Sequence, residues 1–154
     1  MANLEETVAA LARRVEQLED ELAIHRLIVR YGIGVDAGDP ERGAAVFTED
    51  GVYDVDVGRM EGREAVRGMI RGPRHQEMVG HCAHQIGPVV VTLDGSDRAT
   101  AVGYSRVYLA TRAGTHIYRV SFNTWKLVKQ GGEWLIARRT TRMLGCPDAV
   151  DVIR

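Results

Sequence analysis

Leu4, Val8, Leu11, Val15, Leu18 and Leu22 recur at alternating spacings of four and three, with Glu, Arg and Gln filling the gaps. That spacing is the a/d seam of a heptad pattern and predicts a helix. From Ile24 the apolar stripe broadens through Leu27, Ile28, Tyr31 and Val35, as it does when a helix begins to cover a core. One helix over residues 3–36 is expected, its first half either lying on its own domain or packing on another subunit. Gly32 and Gly34 weaken it, and Gly38 supplies a C-terminal stop. Asp39 then reads as an N-cap, with Pro40 at the first position of a short second helix reaching Phe47.

Beyond the turn at Asp50-Gly51 the period changes to two. In the stretch from Val52 to Gly58, Tyr53, Val55 and Val57 share a buried face while Asp54 and Asp56 face water. The residues Arg59 to Gly62 read as a turn, and Glu64 to Arg71 as a helix with Val66, Met69 and Ile70 on one side, ended by Gly72-Pro73. Four longer strands follow: His84 to Leu93, Ala99 to Thr111, Thr115 to Val128 and Glu133 to Leu144. Turns at Asp94-Gly95-Ser96-Asp97, Ala113-Gly114 and Gln130-Gly131-Gly132 are short enough to predict antiparallel neighbours. The fold class is α+β, a curved, mostly antiparallel sheet wrapped around N-terminal helices so as to leave a conical cavity. The expected organisation is a helical extension over 1–20 that carries the heptad seam, a barrel domain over 21–146 and a tail over 147–154.

With 154 residues the chain fits one domain and one core. A net charge of -1, with no basic run interleaved with aromatics, gives no footprint for a nucleic acid or an anionic membrane surface. The two cysteines, Cys82 and Cys146, make neither a disulfide framework nor a zinc knuckle, so free thiols in a reducing cytosol are expected. Met1-Ala2-Asn3-Leu4-Glu5-Glu6 carries no leader pattern, and no run approaches the roughly 18 apolar residues that a membrane span takes. A soluble cytoplasmic protein with no membrane partner is the expectation.

The stretch from Arg30 to Pro40 puts a phenol, Tyr31, and a carboxylate, Asp36, at the edge of an apolar surface. A carboxyl group there is costly to desolvate, so it is either paired or poised to move protons. Other polar groups expected inside are Tyr53, one or both of His81 and His84, and some of Tyr104, Arg106, Tyr108, Asn123 and Trp125. Asp, His and Tyr together suffice for proton abstraction beside a carbonyl or for loss of a leaving group. The imidazole serves as base, the carboxylate fixes its tautomer, and the phenol polarises the oxygen where charge develops. Neither a cofactor nor a metal is required. His81-Cys82-Ala83-His84 with Asp36 invites a metal reading, but on an extended segment a spacing of three points the two imidazoles to opposite sides, and no metal is expected. Gly32-Ile33-Gly34 does not follow a strand, so it is no dinucleotide fingerprint.

The helix end from Ile24 to Tyr31 running to Asp36-Ala37-Gly38-Asp39, the sheet start His81-Cys82-Ala83-His84 leading into Pro88-Val89-Val90-Val91, and the closing Gly132-Glu133-Trp134-Leu135-Ile136 carry a family resemblance. Over about residues 18–144 the chain resembles the SnoaL-like branch of the nuclear transport factor 2-like superfamily, particularly the members resembling scytalone dehydratase, bile-acid 7-alpha-dehydratase and hexachlorocyclohexane dehydrochlorinase. The resemblance implies a cone-shaped α+β barrel and, in the enzymes, an Asp-His dyad with helper tyrosines. By position the dyad falls on Asp36 and His84, with His81 as the alternative, and Tyr31 and Tyr53 match the tyrosines that bind substrate oxygen in dehydratases. Members often carry a further His, Asp or Arg on the fourth strand or later, where this chain offers Arg106 or Asn123.

Two functions compete. One is a cofactor-independent lyase or isomerase, dehydratase- or cyclase-like, acting on a hydrophobic cyclic small molecule. In it His84 is the base, Asp36 orients it, and Tyr31 and Tyr53 meet the oxyanion or leaving group. His81, Tyr104, Arg106, Tyr108, Asn123 and Trp125 are then its candidate substrate-binding positions. The other is a non-catalytic ligand-binding or oligomerisation module of the same fold. A homo-oligomer, dimer or trimer, is expected through the outer sheet face or the Leu4 to Leu22 seam.

Overall fold

The computed structural model describes residues 3–154; Met1 and Ala2, the first residues of the expected extension, lie outside the described residues. Helix α1 spans Leu4–Asp36. It starts with a capping box: Asn3 Oδ1 accepts from the Glu6 amide at 2.8 Å, and Glu6 Oε2 accepts from the Asn3 amide at 3.0 Å. It ends in a Schellman motif. The Gly38 amide donates to the Val35 carbonyl and the Asp39 amide to the Gly34 carbonyl, each at 3.0 Å, with Gly38 at φ +63° in the left-handed region.

The two halves of α1 live in different surroundings. Leu4, Val8, Leu11, Val15, Leu18 and Leu22 are all exposed, so the seam does not lie back on its own domain. Contact begins at Asp20, whose Oδ1 accepts from Lys129 Nζ at 2.7 Å and from Trp134 Nε1 at 2.8 Å. Burial opposes that charge, yet the two hydrogen bonds and the nearby ammonium outweigh it and hold the Asp20 carboxyl below the usual carboxylate range. Farther on, Ile24, Leu27, Ile28, Tyr31 and Val35 enter the core, each apolar side chain contributing about 1.5–3 kcal/mol by leaving water.

The remaining elements are α2 (Pro40–Ala44), β1 (Phe47–Val55), β2 (Gly58–Glu61), α3 (Arg63–Arg71), α4 (Pro73–Gln76), β3 (Cys82–Asp94), β4 (Arg98–Thr111), β5 (Gly114–Gln130), β6 (Glu133–Met143) and a 3₁₀ turn (Val150–Ile153). Four expectations are corrected. The second helix stops at Ala44, and Phe47 opens β1 instead. The predicted turn at Arg59 to Gly62 is mostly strand β2, paired antiparallel with β1 from Val52–Glu61 to Val55–Gly58. The chain reverses at Asp56-Val57, which leaves Val57 exposed at the hairpin tip rather than buried. Asp54 and Asp56 are half-buried in ion pairs rather than facing water: Asp54 with Arg138 and Arg142, and Asp56 with Arg119.

The six strands form one sheet in the order β2-β1-β6-β5-β4-β3. All neighbours are antiparallel except β1 and β6, which run parallel. The edge strands β2 and β3 do not meet, so the cone is an open, curved sheet with α1 across its concave side. Ala99, Ala101, Ser105 and Val107 of β4 face inward, as do Ser121, Asn123, Trp125 and Leu127 of β5. On β6 the inward positions change parity. Trp134 and Ile136 are buried, then Arg139 and Thr141, because the pairing with β5 skips Ala137. Among the described residues no helix is long and apolar enough to cross a membrane.

The glycines of α1 set how closely other elements approach it. A Cβ on Gly34 would lie 2.6 Å from the Gly43 nitrogen and 2.8 Å from its Cα, so α2 crosses α1 backbone to backbone. A Cβ on Gly32 would lie 3.2 Å from the His84 carbonyl oxygen, which is the approach of β3. Gly34→Ala is therefore expected to destabilise the protein by about 2 kcal/mol despite alanine's higher helix propensity. Urea denaturation measures this, and a raised midpoint would show that the backbone contact is not tight.

Candidate active site

His84 is the third residue of β3, and strand alternation turns it inward with Cys82 and Ile86. Asp36 is the last residue of α1. A carboxylate at the C-terminal, negative end of a helix is normally unfavourable by some 0.3–1 kcal/mol, and the last turn of α1 holds no basic residue to offset it. Its compensation comes from His84 on the adjoining strand β3. The His84 amide donates to Asp36 Oδ2 at 2.7 Å, and His84 Nδ1 meets Asp36 Oδ1 at 2.6 Å. A carboxylate only accepts, so Nδ1 carries a proton, and in the neutral form of the ring Nε2 keeps its lone pair.

The ring lines an open-mouthed cavity of about 200 Å³ whose apolar wall is Val35, Val55, Val57, Met60, Met69 and Val107. The polar groups at this cavity are Tyr31, Tyr53, His75, His84, Ser105, Arg119, Arg139 and Thr141. Burial above all, and then the neighbouring Tyr53, pushes the Tyr31 phenol far up despite the nearby Arg139 cation, so it stays a hydrogen-bond donor. Tyr31 and Tyr53 meet edge-on, their ring centroids 6.0 Å apart.

Arg139 is 2% exposed. Its guanidinium carbon lies 4.8 Å from the Tyr31 ring centroid, 4.8 Å from that of Tyr53 and 5.4 Å from that of Trp125. Asn123 Oδ1 accepts from its Nε at 3.1 Å and its Nη2 at 2.8 Å, and also from Thr141 Oγ1 at 2.7 Å. The other end of that amide donates to Ser105 Oγ at 2.9 Å. Arginine has only donors to offer, so this bonding fixes which way the Asn123 amide points. Among the described residues no carboxylate forms an ion pair with Arg139, whereas Arg119, also on the cavity wall, is paired with Asp56.

The ten candidate positions thus separate. His84, Tyr31 and Tyr53 line the cavity, and Asp36 stands behind His84, joined to its ring. Asn123 and Trp125 are buried behind it and hold Arg139 instead of lining it. Tyr104, Arg106 and Tyr108, also candidates for substrate contact, are turned away from the cavity. The odd residues of β4 face inward, so Tyr104 packs edge-on against Phe122 of the outer face, Arg106 shares that face, and Tyr108 donates its hydroxyl to Gln85 at 2.8 Å. His81 is exposed in the turn before β3.

Sequence reasoning missed Arg139, Arg119 and His75. The run Arg138-Arg139-Thr140-Thr141-Arg142 on a central strand must put arginine on both faces, and that signal was available. For His75, whose Nε2 donates to the Val35 carbonyl at 2.8 Å from the short helix α4, the sequence offers no comparable signal.

Asp36, Cys82 and His84 bring three potential metal ligands within 4.8 Å of one another. Both Asp36 oxygens already accept from His84, however, and a cation ligated by Nδ1 would have to displace that ring proton. The trio reads as a hydrogen-bonded dyad with a thiol beside it.

Comparison with known proteins agrees with this architecture. The sequence matches the model of the SnoaL-like domain family over residues 16–140. The chain belongs to that family. An NTF2-like protein with a cystatin-like fold from Novosphingobium aromaticivorans is similar to this SnoaL-like chain at 34% identity, covering 100% of this chain and 99% of its own, with a TM-score of 0.90. A protein of unknown function from Mycobacterium tuberculosis shares 34% identity over 88% of this chain and 78% of that one, with a TM-score of 0.78. A hexachlorocyclohexane dehydrochlorinase from Novosphingobium barchaimii shares the fold at 18% identity, over 85% of this chain and 90% of that one, with a TM-score of 0.73. No curated protein sequence matches the chain.

Burial, together with the Asp36 carboxylate 3.8 Å from its sulfur, pushes the Cys82 thiol up. Cys82 should therefore alkylate slowly with iodoacetamide at about pH 8. Asp36→Asn, which removes the negative neighbour, should speed that reaction several-fold, as read by mass spectrometry of the Cys82 peptide. An unchanged rate would place the carboxylate too far from the sulfur to matter.

Proposed function

We propose that this SnoaL-like protein is a cofactor-independent lyase or isomerase that acts on a small hydrophobic cyclic molecule by Asp-His acid–base chemistry. The observation that carries this reading is the 2.6 Å contact between Asp36 and His84 Nδ1, made by a ring that lines the cavity. His84 Nε2 takes a proton from a carbon beside a carbonyl or a leaving group. Asp36 holds the ring in the tautomer that makes Nε2 the acceptor and stabilises the imidazolium that forms. Tyr31 and Tyr53 donate to the substrate oxygen on which charge develops, with the Arg139 cation behind their rings. The imidazolium then returns its proton to another carbon in an isomerisation or to a departing hydroxyl in a dehydration; where a halide departs as its anion, the imidazolium loses the proton to water.

The cavity bounds the substrate. An apolar cavity of roughly 150 Å³ takes up benzene, and sites for drug-sized ligands span about 300–1,000 Å³. A volume of about 200 Å³ suits one substituted ring, with any larger remainder extending out of the mouth. The fold likeness to a dehydrochlorinase, an enzyme named for eliminating from a cyclic halide, supports elimination as the first chemistry to assay. A separated Asp36 and His84, or a plugged cavity, would favour a binding module without activity; the 2.6 Å contact and the open cavity support the enzyme instead. Residence in the cytoplasm is part of the proposal, consistent with two free cysteines.

A panel of monocyclic hydroxy-ketones and cyclic halides in deuterated water, followed by proton NMR, tests this reading through elimination or carbon-bound deuterium exchange. His84→Ala and Asp36→Asn are each expected to lower turnover about 100-fold or more with unchanged circular dichroism. Near wild-type turnover by both variants on a substrate found in the panel would remove the mechanism.

A further inference from the structure

Along α1 the exposed aliphatics do not stop at the core boundary. Leu4, Val8, Leu11, Val15, Leu18 and Leu22, between 48% and 79% exposed, are continued by Val29 at 47% and Ile33 at 46%. At 3.6 residues per turn these eight fall within an arc of about 80°, centred about 160° from the face formed by Ile24, Leu27, Ile28, Tyr31 and Val35. The stripe therefore points away from the sheet along the whole helix, a larger continuous apolar surface than a lone soluble chain ordinarily exposes.

Its register selects an occupant. With Leu4 at d, the a positions are Val8, Val15, Leu22 and Val29, and the d positions are Leu4, Leu11, Leu18 and His25. β-Branched residues at a with Leu at d favour two parallel strands. The flanking charges agree with that alignment. In a parallel, in-register pair each g residue faces the e residue five positions later on the other chain. Arg14 then faces Glu19 and Glu21 faces Arg26, while Thr7 faces the neutral Ala12, so no like charges meet. We propose that a second copy of this chain covers the stripe, forming a parallel two-stranded coiled coil over residues 4–29, close to four heptads and about 39 Å long. The two SnoaL-like domains then sit side by side at the C-terminal end of the coil, each with its own cavity on the face of α1 turned from the partner.

Charge-swap variants of the full chain test this by sedimentation equilibrium. Arg14 and Glu19 are exposed, and residues five apart on one helix do not touch, so exchanging them leaves the helix and the domain intact. Arg14→Glu alone and Glu19→Arg alone should each weaken dimerisation about tenfold or more. The double variant R14E/E19R should restore it. Leu18→Cys should give an oxidised, disulfide-linked dimer, because d residues of a parallel pair meet their own copies; the unsubstituted chain oxidised alongside gives the background. A monomeric wild-type chain, or single swaps without effect, would overturn the coil. A double variant as weak as either single would overturn the parallel alignment, since in the antiparallel one Arg14 faces Glu21.

Discussion

The carboxylate of Asp36 accepts two hydrogen bonds from one residue, the backbone amide and the ring Nδ1–H of His84, at 2.7 and 2.6 Å. This pair of bonds ties the C-terminal end of α1 to the beginning of β3. It answers the electrostatic penalty of a negative group at the negative end of a helix, and it removes the freedom of the imidazole to choose its tautomer. The bond also depends on close packing around it. The Gly32 position lets the His84 carbonyl come within 3.2 Å of where a side chain would start, and the Schellman turn at Gly38 ends the helix where Asp36 can reach the strand. Sequence features that look like helix weakness are thus what allow the contact.

Around that contact the cavity separates its charges. The anionic group sits on the α1 side with His84, and the cationic Arg139 sits on β6 among three aromatic rings and an amide. A guanidinium this deeply buried is costly without compensation. Here the compensation is ring quadrupoles and the Asn123 oxygen rather than a carboxylate, so its field is not cancelled locally. A positive field of that kind favours an electron-rich oxygen near Tyr31 and Tyr53, the place where the proposed chemistry develops negative charge.

How much of this could be read in the chain follows from the range of each signal. The heptad spacing, the Gly38 stop and the Asp39-Pro40 start are local patterns, and the long helix and its end followed from them. Asp36 and His84 were legible because a carboxylate on an apolar stripe and an imidazole at a strand start each stand out alone. Placing Tyr104, Arg106 and Tyr108 needed the absolute parity of β4, which the sequence pattern leaves ambiguous where small residues, Ala101, Gly103 and Ser105, form the inner face. The position of Arg139 turns on a one-residue bulge at Ala137, and a slip of one residue exchanges the two faces of a strand. His75 depends on how a four-residue helix packs, which is wholly a tertiary matter.

The tautomer of His84 is the most direct measure of the account. In protein labelled with nitrogen-15 at histidine, and with the His84 signals assigned by their loss in His84→Gln, a long-range proton–nitrogen correlation spectrum of the neutral ring distinguishes the two nitrogens. A protonated Nδ1 held to Asp36 and an unprotonated Nε2 facing the cavity are expected. A ring carrying its proton on Nε2 would contradict it, because that nitrogen could then accept nothing from a substrate.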